Sequence, residues 1–254
     1  MTDAVIAKLR GLGVPELEHF IFADSSSPAT QRRDDLADSG CKTYPGDPSW
    51  PSDELWDLFD TLSGGALIET VPQAAICYDN WGIRDVEKCD NLTANFSDSF
   101  LRIEDPTAIN SVLYQGMTCL PPGMTTKFVS DPPTCTLGGY PPYSVKVTDA
   151  YQAQLAVNLA RALNLRLVIK NTGHDFGGKS TGMGALNVWT HHLKHYKFYG
   201  KYEAVNYTGP AFKLGAGIQA FEAYQLAKDY NVTVVGGEGK VRYRFWSRRH
   251  QLQL

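Results

Sequence analysis

Residues 169–180 read Ile-Lys-Asn-Thr-Gly-His-Asp-Phe-Gly-Gly-Lys-Ser, and the elements on either side of this run decide the fold. Upstream, Tyr143-Ser-Val-Lys-Val147 alternates as a strand does. Thr148-Asp149 can cap a helix, and Ala150 to Leu163 carries apolar residues at helical spacing. Leu165-Arg-Leu-Val-Ile169 then reads as a second strand, so the chain enters the quoted run from a βαβ unit whose strands are parallel neighbours or near neighbours. Downstream, Leu186-Asn-Val-Trp189 favours another strand. Phe212-Lys-Leu214 with Gly215-Ala-Gly217 suggests a strand and tight turn, Gln219 to Lys228 a helix, and Val232 to Val235 a further strand. The expected fold class is α+β, a small βαβ subdomain joined to part of a mixed-sheet subdomain.

The run Gly173-His-Asp-Phe-Gly-Gly-Lys-Ser180 literally satisfies GxxxxGK[ST], the nucleoside-triphosphate loop, and follows a strand as that motif requires. Such a loop must launch a helix at its Lys, whose amides then hold the phosphates. Here Lys179 is followed by Ser-Thr-Gly-Met-Gly and a strand pattern, so we expect no helix and disfavour a nucleotidase. Five glycines between 173 and 184 instead allow positive φ and close backbone approach, so successive N–H groups can nest an anion without a helix dipole. The middle side chain of such a loop is His174.

Earlier in the chain, residues 1–40 hold one amphipathic piece, Val5 to Leu12, and then a polar, turn-rich stretch that reads as an N-terminal extension. A cysteine-bearing, loop-rich region follows over 41–135. Within it Pro51-Ser52-Asp53 opens a helix carrying Leu55, Trp56, Leu58, Phe59 and Leu62 that stops at Gly64-Gly65. Residues 72–135 show few periodic runs and are expected to pack loosely. Residues 136–239 hold the strand and loop pattern described above.

With 24 Lys+Arg against 27 Asp+Glu, a net charge of −3, and its only basic cluster in the tail at Lys240, Arg242, Arg244, Arg248 and Arg249, the chain is disfavoured as a nucleic-acid binder, whose affinity comes from clustered cations releasing counterions. No stretch reaches the roughly 20 apolar residues of a membrane span. The first residues show no secretory h-region. Against that, Cys41, Cys77, Cys89, Cys119 and Cys135 lie in loop-rich sequence where disulfides are useful, and none forms the CxxC pair of a zinc site. Sequons at Asn91, Asn95, Asn206 and Asn231 favour a secretory route too, so we expect the first ~38 residues not to be the native start. His191, His192 and His195 form HHLKH, a metal pair only if helical and without the Glu of a zinc hydrolase, so a solvated or packing role is expected. The aromatic stretch Trp189, Tyr196, Phe198, Tyr199, Tyr202 and Tyr207 reads as sheet or core rather than a stacking platform.

Ile169 to Ser180, followed by Gly184-Ala-Leu-Asn-Val-Trp-Thr-His-His-Leu193, resembles the FAD-binding loop of fungal FAD-linked oxidoreductases. These belong to the vanillyl-alcohol oxidase/p-cresol methylhydroxylase flavoproteins and are similar to berberine-bridge-type enzymes. The likeness extends over about residues 41–239, through CKxxPGDxxWPS at 41–52, CTLGGYPPYSVKV at 135–147 and Gly215-Ala-Gly217. It implies a PCMH-type FAD-binding fold and FAD linked covalently through His174 to the flavin 8α carbon. Lys170, Asn171, Thr172, Gly173, Asp175, Phe176, Gly177, Gly178 and Ser180 would surround the pyrophosphate and ribityl groups, mostly through backbone amides. It pairs Cys77 with Cys89 and Cys119 with Cys135, leaving Cys41 over.

The resemblance further implies hydride transfer from a small organic substrate to the flavin, with dioxygen as acceptor; no residue present stands out as the substrate base. Relatives carry a second flavin-linking Cys where this chain has Gly239, and the sequence then becomes KVRYRFWSRRHQLQL, residues 240–254, with five basic residues and no acid. We expect this tail to come from an unspliced intron or shifted frame and the flavin site to be incomplete, which transcript sequencing across the Gly239 codon decides. The rival expectation is a secreted glycoprotein fragment without catalysis.

Overall fold

The computed structural model describes residues 11, 13, 15–21, 41–124 and 134–236. The chain divides into two compact units, Met1–Trp189 and Thr190–Leu254.

In the first unit, α1 (Asp53–Ser63) starts where the Ser52 side chain accepts from the Leu55 amide and ends where Gly64 turns left-handed. These are the start and stop that the sequence predicts, because a capping hydroxyl satisfies an otherwise orphaned amide and glycine tolerates positive φ. Its buried face carries Leu55, Trp56 and Phe59, with the Trp56 ring 4.3 Å from that of Tyr143. Strand β1 (Leu67–Glu69) follows. Two short helices not foreseen from periodicity come next, α2 (Val86–Asn95) and α3 (Ser99–Ile103), each capped by an aspartate, Asp85 and Asp98.

The βαβ unit is β2 (Tyr143–Lys146), α4 (Ala150–Ala162) and β3 (Arg166–Lys170), and β4 (Ala185–Trp189) completes the sheet. The strand order is β1-β2-β4-β3, with β1 antiparallel to β2 and the other pairs parallel. The strands of the βαβ unit are therefore near neighbours flanking β4. All five residues of β4 are buried, as a central parallel strand requires. The core under α4 contains Val145, Val147, Leu155, Leu159, Leu165 and Leu186.

Part of the predicted N-terminal extension packs on this unit. Pro15–Phe20 forms a 3₁₀ turn with Leu17 and Phe20 buried, and the Asn158 side chain donates to the Phe20 carbonyl at 2.8 Å. The cysteine-bearing region also holds more order than its sequence suggests. Cys77–Cys89 and Cys119–Cys135 are the two disulfides, and Ala74, Ala75, Tyr78, Leu92, Cys119 and Cys135 form a small core of their own. Cys41 lies outside both bridges.

The second unit contains β5 (Tyr196–Ala204) and β6 (Tyr207–Leu214), an antiparallel hairpin with an irregularity between Tyr199 and Tyr202, then α5 (Ala220–Asp229). Glu222 and Gln219 make a capping box at the start of α5. Phe198, Phe212 and Tyr230 cluster, with the Phe198 and Tyr230 rings stacked at 4.3 Å, so Phe198 of the aromatic stretch serves packing, while Tyr196 and Tyr202 lie on the exposed sheet surface. Residues 232–236 are not a strand, contrary to the apolar pattern: a strand needs a ladder partner, and none pairs with this run among the described residues. HHLKH is not helical either, since Thr190–His192 is a single 3₁₀ turn, so His191 and His195 are not stacked one turn apart. Among the described residues no group of three His, Cys, Asp or Glu could hold a metal, and no helix is long and apolar enough to cross a membrane. Gly239 and the basic tail 240–254 lie outside the described residues.

Candidate functional site

Residues 171–184 connect the end of β3 to the start of β4, two parallel neighbours, and so must cross the sheet from one end to the other. Most such crossovers are helices. This one is irregular throughout, and no helix begins at Lys179, which removes the amide array that a triphosphate loop needs. Positive φ occurs at Gly173 (77°), Gly178 (64°) and Gly184 (66°).

All three glycines also admit close neighbours, Gly184 lying against the Tyr44 ring. A Cβ on Gly173 would stand 2.8 Å from the Ala108 carbonyl oxygen, and one on Gly178 would run into the Tyr114 ring. The loop is thus laid against the segment 105–115, which the sequence reading passed over.

That segment is fixed from several sides. Asp105 Oδ1 accepts from the amides of Thr107 and Ala108, both at 2.7 Å. Asn187, buried on β4, donates to the Pro106 carbonyl at 2.8 Å, and buried Gln115 donates to the Thr107 carbonyl at 2.8 Å and to Thr181 Oγ1 at 3.2 Å. The Asn110 amide donates to the Gly173 carbonyl at 3.0 Å, while Arg102 Nη1 donates to the Asn110 carbonyl at 3.1 Å. Arg102 also sits over the Phe96 ring, 4.6 Å from its centre, and burial lowers the affinity of its guanidinium for protons.

The sequence-selected residues divide by what their side chains do. Lys170 is fully buried at the end of β3, where Nζ donates to the carbonyls of Asp105 (2.7 Å), Arg102 (3.1 Å) and Ile103 (3.5 Å) and lies 5.5 Å from the centre of the Trp189 ring. Burial lowers its pKa to about 8, against the opposing pull of the Asp105 and Glu104 carboxylates. Its side chain therefore ties the 102–105 turn to the sheet. Asp175 folds back on its own loop: its carboxylate accepts from the Lys179 amide at 2.5 Å and from the Ser180 hydroxyl. The Lys179 amide and Ser180 Oγ are thereby engaged within the loop. Asn171 and Thr172 are half-buried, Gly173 is buried, and Gly178 is half-buried. Phe176, 65% exposed, and Gly177 form the open tip.

His174 is half-buried, and its Nδ1 lies 2.5 Å from Asn110 Nδ2. Asn110 sits in Ala108-Ile-Asn-Ser111, which carries no motif, and only the tertiary pairing with Gly173 brings it to the histidine. A separate groove of about 480 Å³ lies in the cysteine-bearing region; its lining includes Gln73, Asp85, Lys88 and Asn91 and no residue of the glycine-rich loop.

No family model matches the chain. It is 42% identical over 199 residues to the VAO-type flavoprotein oxidase VAO615 of Thermothelomyces thermophilus, covering 78% of this chain and 34% of that protein. It is 38% identical to the bifunctional decalin synthase calF of Penicillium decumbens, again over 78% of this chain and 34% of the relative. The crystal structure of the VAO-type flavoprotein MtVAO615 from Myceliophthora thermophila superposes with a TM-score of 0.71 over 78% of this chain and 35% of that one, at 42% identity. MtVAO713 from the same fungus gives a TM-score of 0.70 at 32% identity over 80% of this chain and 36% of that one. The chain spans about a third of the length of the relatives it matches.

Proposed function

From the premise that this chain is homologous to the VAO-type, FAD-linked oxidoreductases of fungi over the third of their length that it spans, we propose that it forms the diphosphate-binding part of an FAD site. The observation that carries this reading is the helix-free crossover between β3 and β4, which sets His174 beside a chain segment fixed to the sheet.

The residues present fit a dinucleotide. The tip at Phe176 and Gly177 is exposed, and the glycine backbone permits close approach of a diphosphate without side-chain interference. Asp175 acts as a brace, turning the chain so that the tip stays formed. Lys170 contributes from beneath by holding the 102–105 turn, and Asn171 and Thr172 lead the chain from the sheet into the cradle. His174 supplies the imidazole that would bond the flavin 8α carbon. FAD would supply the redox chemistry, accepting hydride from a small organic substrate and passing the electrons to dioxygen. The two disulfides support passage through an oxidising secretory compartment.

The test is the protein's own colour. Purified chain that shows flavin absorbance, retained after acid precipitation and unfolding, supports covalent FAD through His174. Colourless protein after expression with FAD supply overturns the FAD reading and favours a non-catalytic glycoprotein fragment.

A further inference from the structure

We infer that Asn110 is a positioning residue for His174: its side-chain amide sets which imidazole nitrogen carries the proton and thereby readies Nδ1 to bond a flavin. This rests on the FAD reading above.

The geometry supplies each step. Asn110 Nδ2 is 2.5 Å from His174 Nδ1. An amide NH₂ has no lone pair to offer and can only donate, so Nδ1 is the acceptor and the proton of the neutral ring resides on Nε2. Nε2 is itself buried, which makes Nδ1 the nitrogen left to react. Asn110 cannot drift from this place, because its N–H is bonded to the Gly173 carbonyl and its carbonyl to Arg102, one residue from the histidine along the partner chain segment. Ile109 beside it is completely buried. The Asn110 Oδ1 atom is buried without a hydrogen-bond partner among the described residues, so no competing bond through the oxygen turns the amide away from the ring.

The chemical consequence follows from the lone pair. A ring nitrogen that carries a proton is no nucleophile, whereas Nδ1 held as acceptor keeps its in-plane pair. Bonding of Nδ1 to the 8α carbon removes one hydrogen from that carbon and the proton from Nε2, and the two electrons released pass to dioxygen, which leaves as hydrogen peroxide. Asn110 would act before this step by selecting the tautomer, and its amide would give up the contact to Nδ1 when that nitrogen bonds to carbon.

The experiment compares the full chain with Asn110→Asp and Asn110→Ala, each labelled with ¹⁵N at histidine and supplied with FAD. Both variants keep the backbone groups that tie position 110 to Gly173 and Arg102, and far-ultraviolet circular dichroism verifies equal folding. In the wild type the His174 resonances should show protonated Nε2 and unprotonated Nδ1. A carboxylate at 110 accepts rather than donates, so Asn110→Asp should move the proton to Nδ1. Acid-stable flavin should then fall about a hundredfold while flavin released by acid stays near the wild-type level. Asn110→Ala should attach flavin more slowly than wild type and faster than Asn110→Asp. A wild-type spectrum with protonated Nδ1, or undiminished covalent attachment in Asn110→Asp, overturns the inference. If no protein binds FAD in either form, the FAD reading fails, and the histidine spectra still decide the role of Asn110.

Discussion

The ammonium nitrogen of Lys170 lies 2.7 Å from the carbonyl oxygen of Asp105, tying the end of a sheet strand to the turn that leads toward Asn110. Two opposing effects set the value of this contact. Lowering the lysine's pKa from 10.5 to about 8 corresponds to about 3 kcal/mol against the buried cation. Losing it strands three carbonyl groups, each worth roughly 1–3 kcal/mol when buried and unpaired. Lys170→Met should therefore destabilise the fold by about 2 kcal/mol, read from urea midpoints at pH 7. A variant as stable as wild type would show that the carbonyls find other donors.

The same lysine predicts a pH dependence. Its folded-state pKa is depressed, so between about pH 8 and 10.5 the unfolded chain binds the extra proton and stability rises with pH. Buried Tyr140 acts in the opposite sense above about pH 10: burial raises its pKa, so the unfolded chain ionises first and stability falls. Denaturation midpoints should climb between pH 8 and 10 in the wild type, and Lys170→Met should flatten that limb.

Gly173 and Gly177 make a matched pair. Alanine at 173 must hold φ near 77° and place its methyl 2.8 Å from a carbonyl oxygen, which should cost about 1–3 kcal/mol and lower flavin retention. Alanine at 177 needs no positive φ, and its nearest neighbour is Lys179 Cγ at 4.0 Å, so stability should stay within about 0.5 kcal/mol of wild type. Equal losses in the two variants would contradict this account of the loop.

Lys179→Ala should leave flavin content unchanged, since the Lys179 side chain is exposed and its amide, which the substitution keeps, is the group bonded to Asp175. Loss of magnesium-dependent ATP binding on this substitution would instead revive the triphosphate-loop reading.

Replacing Cys119 and Cys135 together by serine opens a loop of sequence separation 16 and should cost about 3 kcal/mol, which reductant should reproduce in the wild type. Unmoved melting in both cases would assign the bridge no stabilising role.

What the sequence made legible were features written in local chemistry. Ser52 and Gly64 bracket α1, Asp149 starts α4, and the alternation at 143–147 is a strand because its residues meet a buried face. Helix α2 escaped notice because only Leu92 of its ten residues is buried, so no apolar stripe marks it. Strand β5 escaped because its residues are exposed or half-buried, leaving no contrast between faces. Val232 to Val235 misled in the other direction, since an apolar run is a strand only where another strand receives its hydrogen bonds. At the site, His174 is visible through its glycines, whereas Asn110 is 64 residues away and enters only through the fold.

The positions of the cross-links bear on how the chain is best produced. Asn110 falls between Cys89 and Cys119, within the stretch that the two bridges flank, while the sheet under His174 has an apolar interior without any cysteine. The groups that hold the Asn110 segment, Lys170, Asn187, Gln115 and Arg102, are hydrogen-bond donors rather than thiols, so protein made in a reducing cytosol would forgo the stability of the two bridges and still keep the contacts that orient the imidazole.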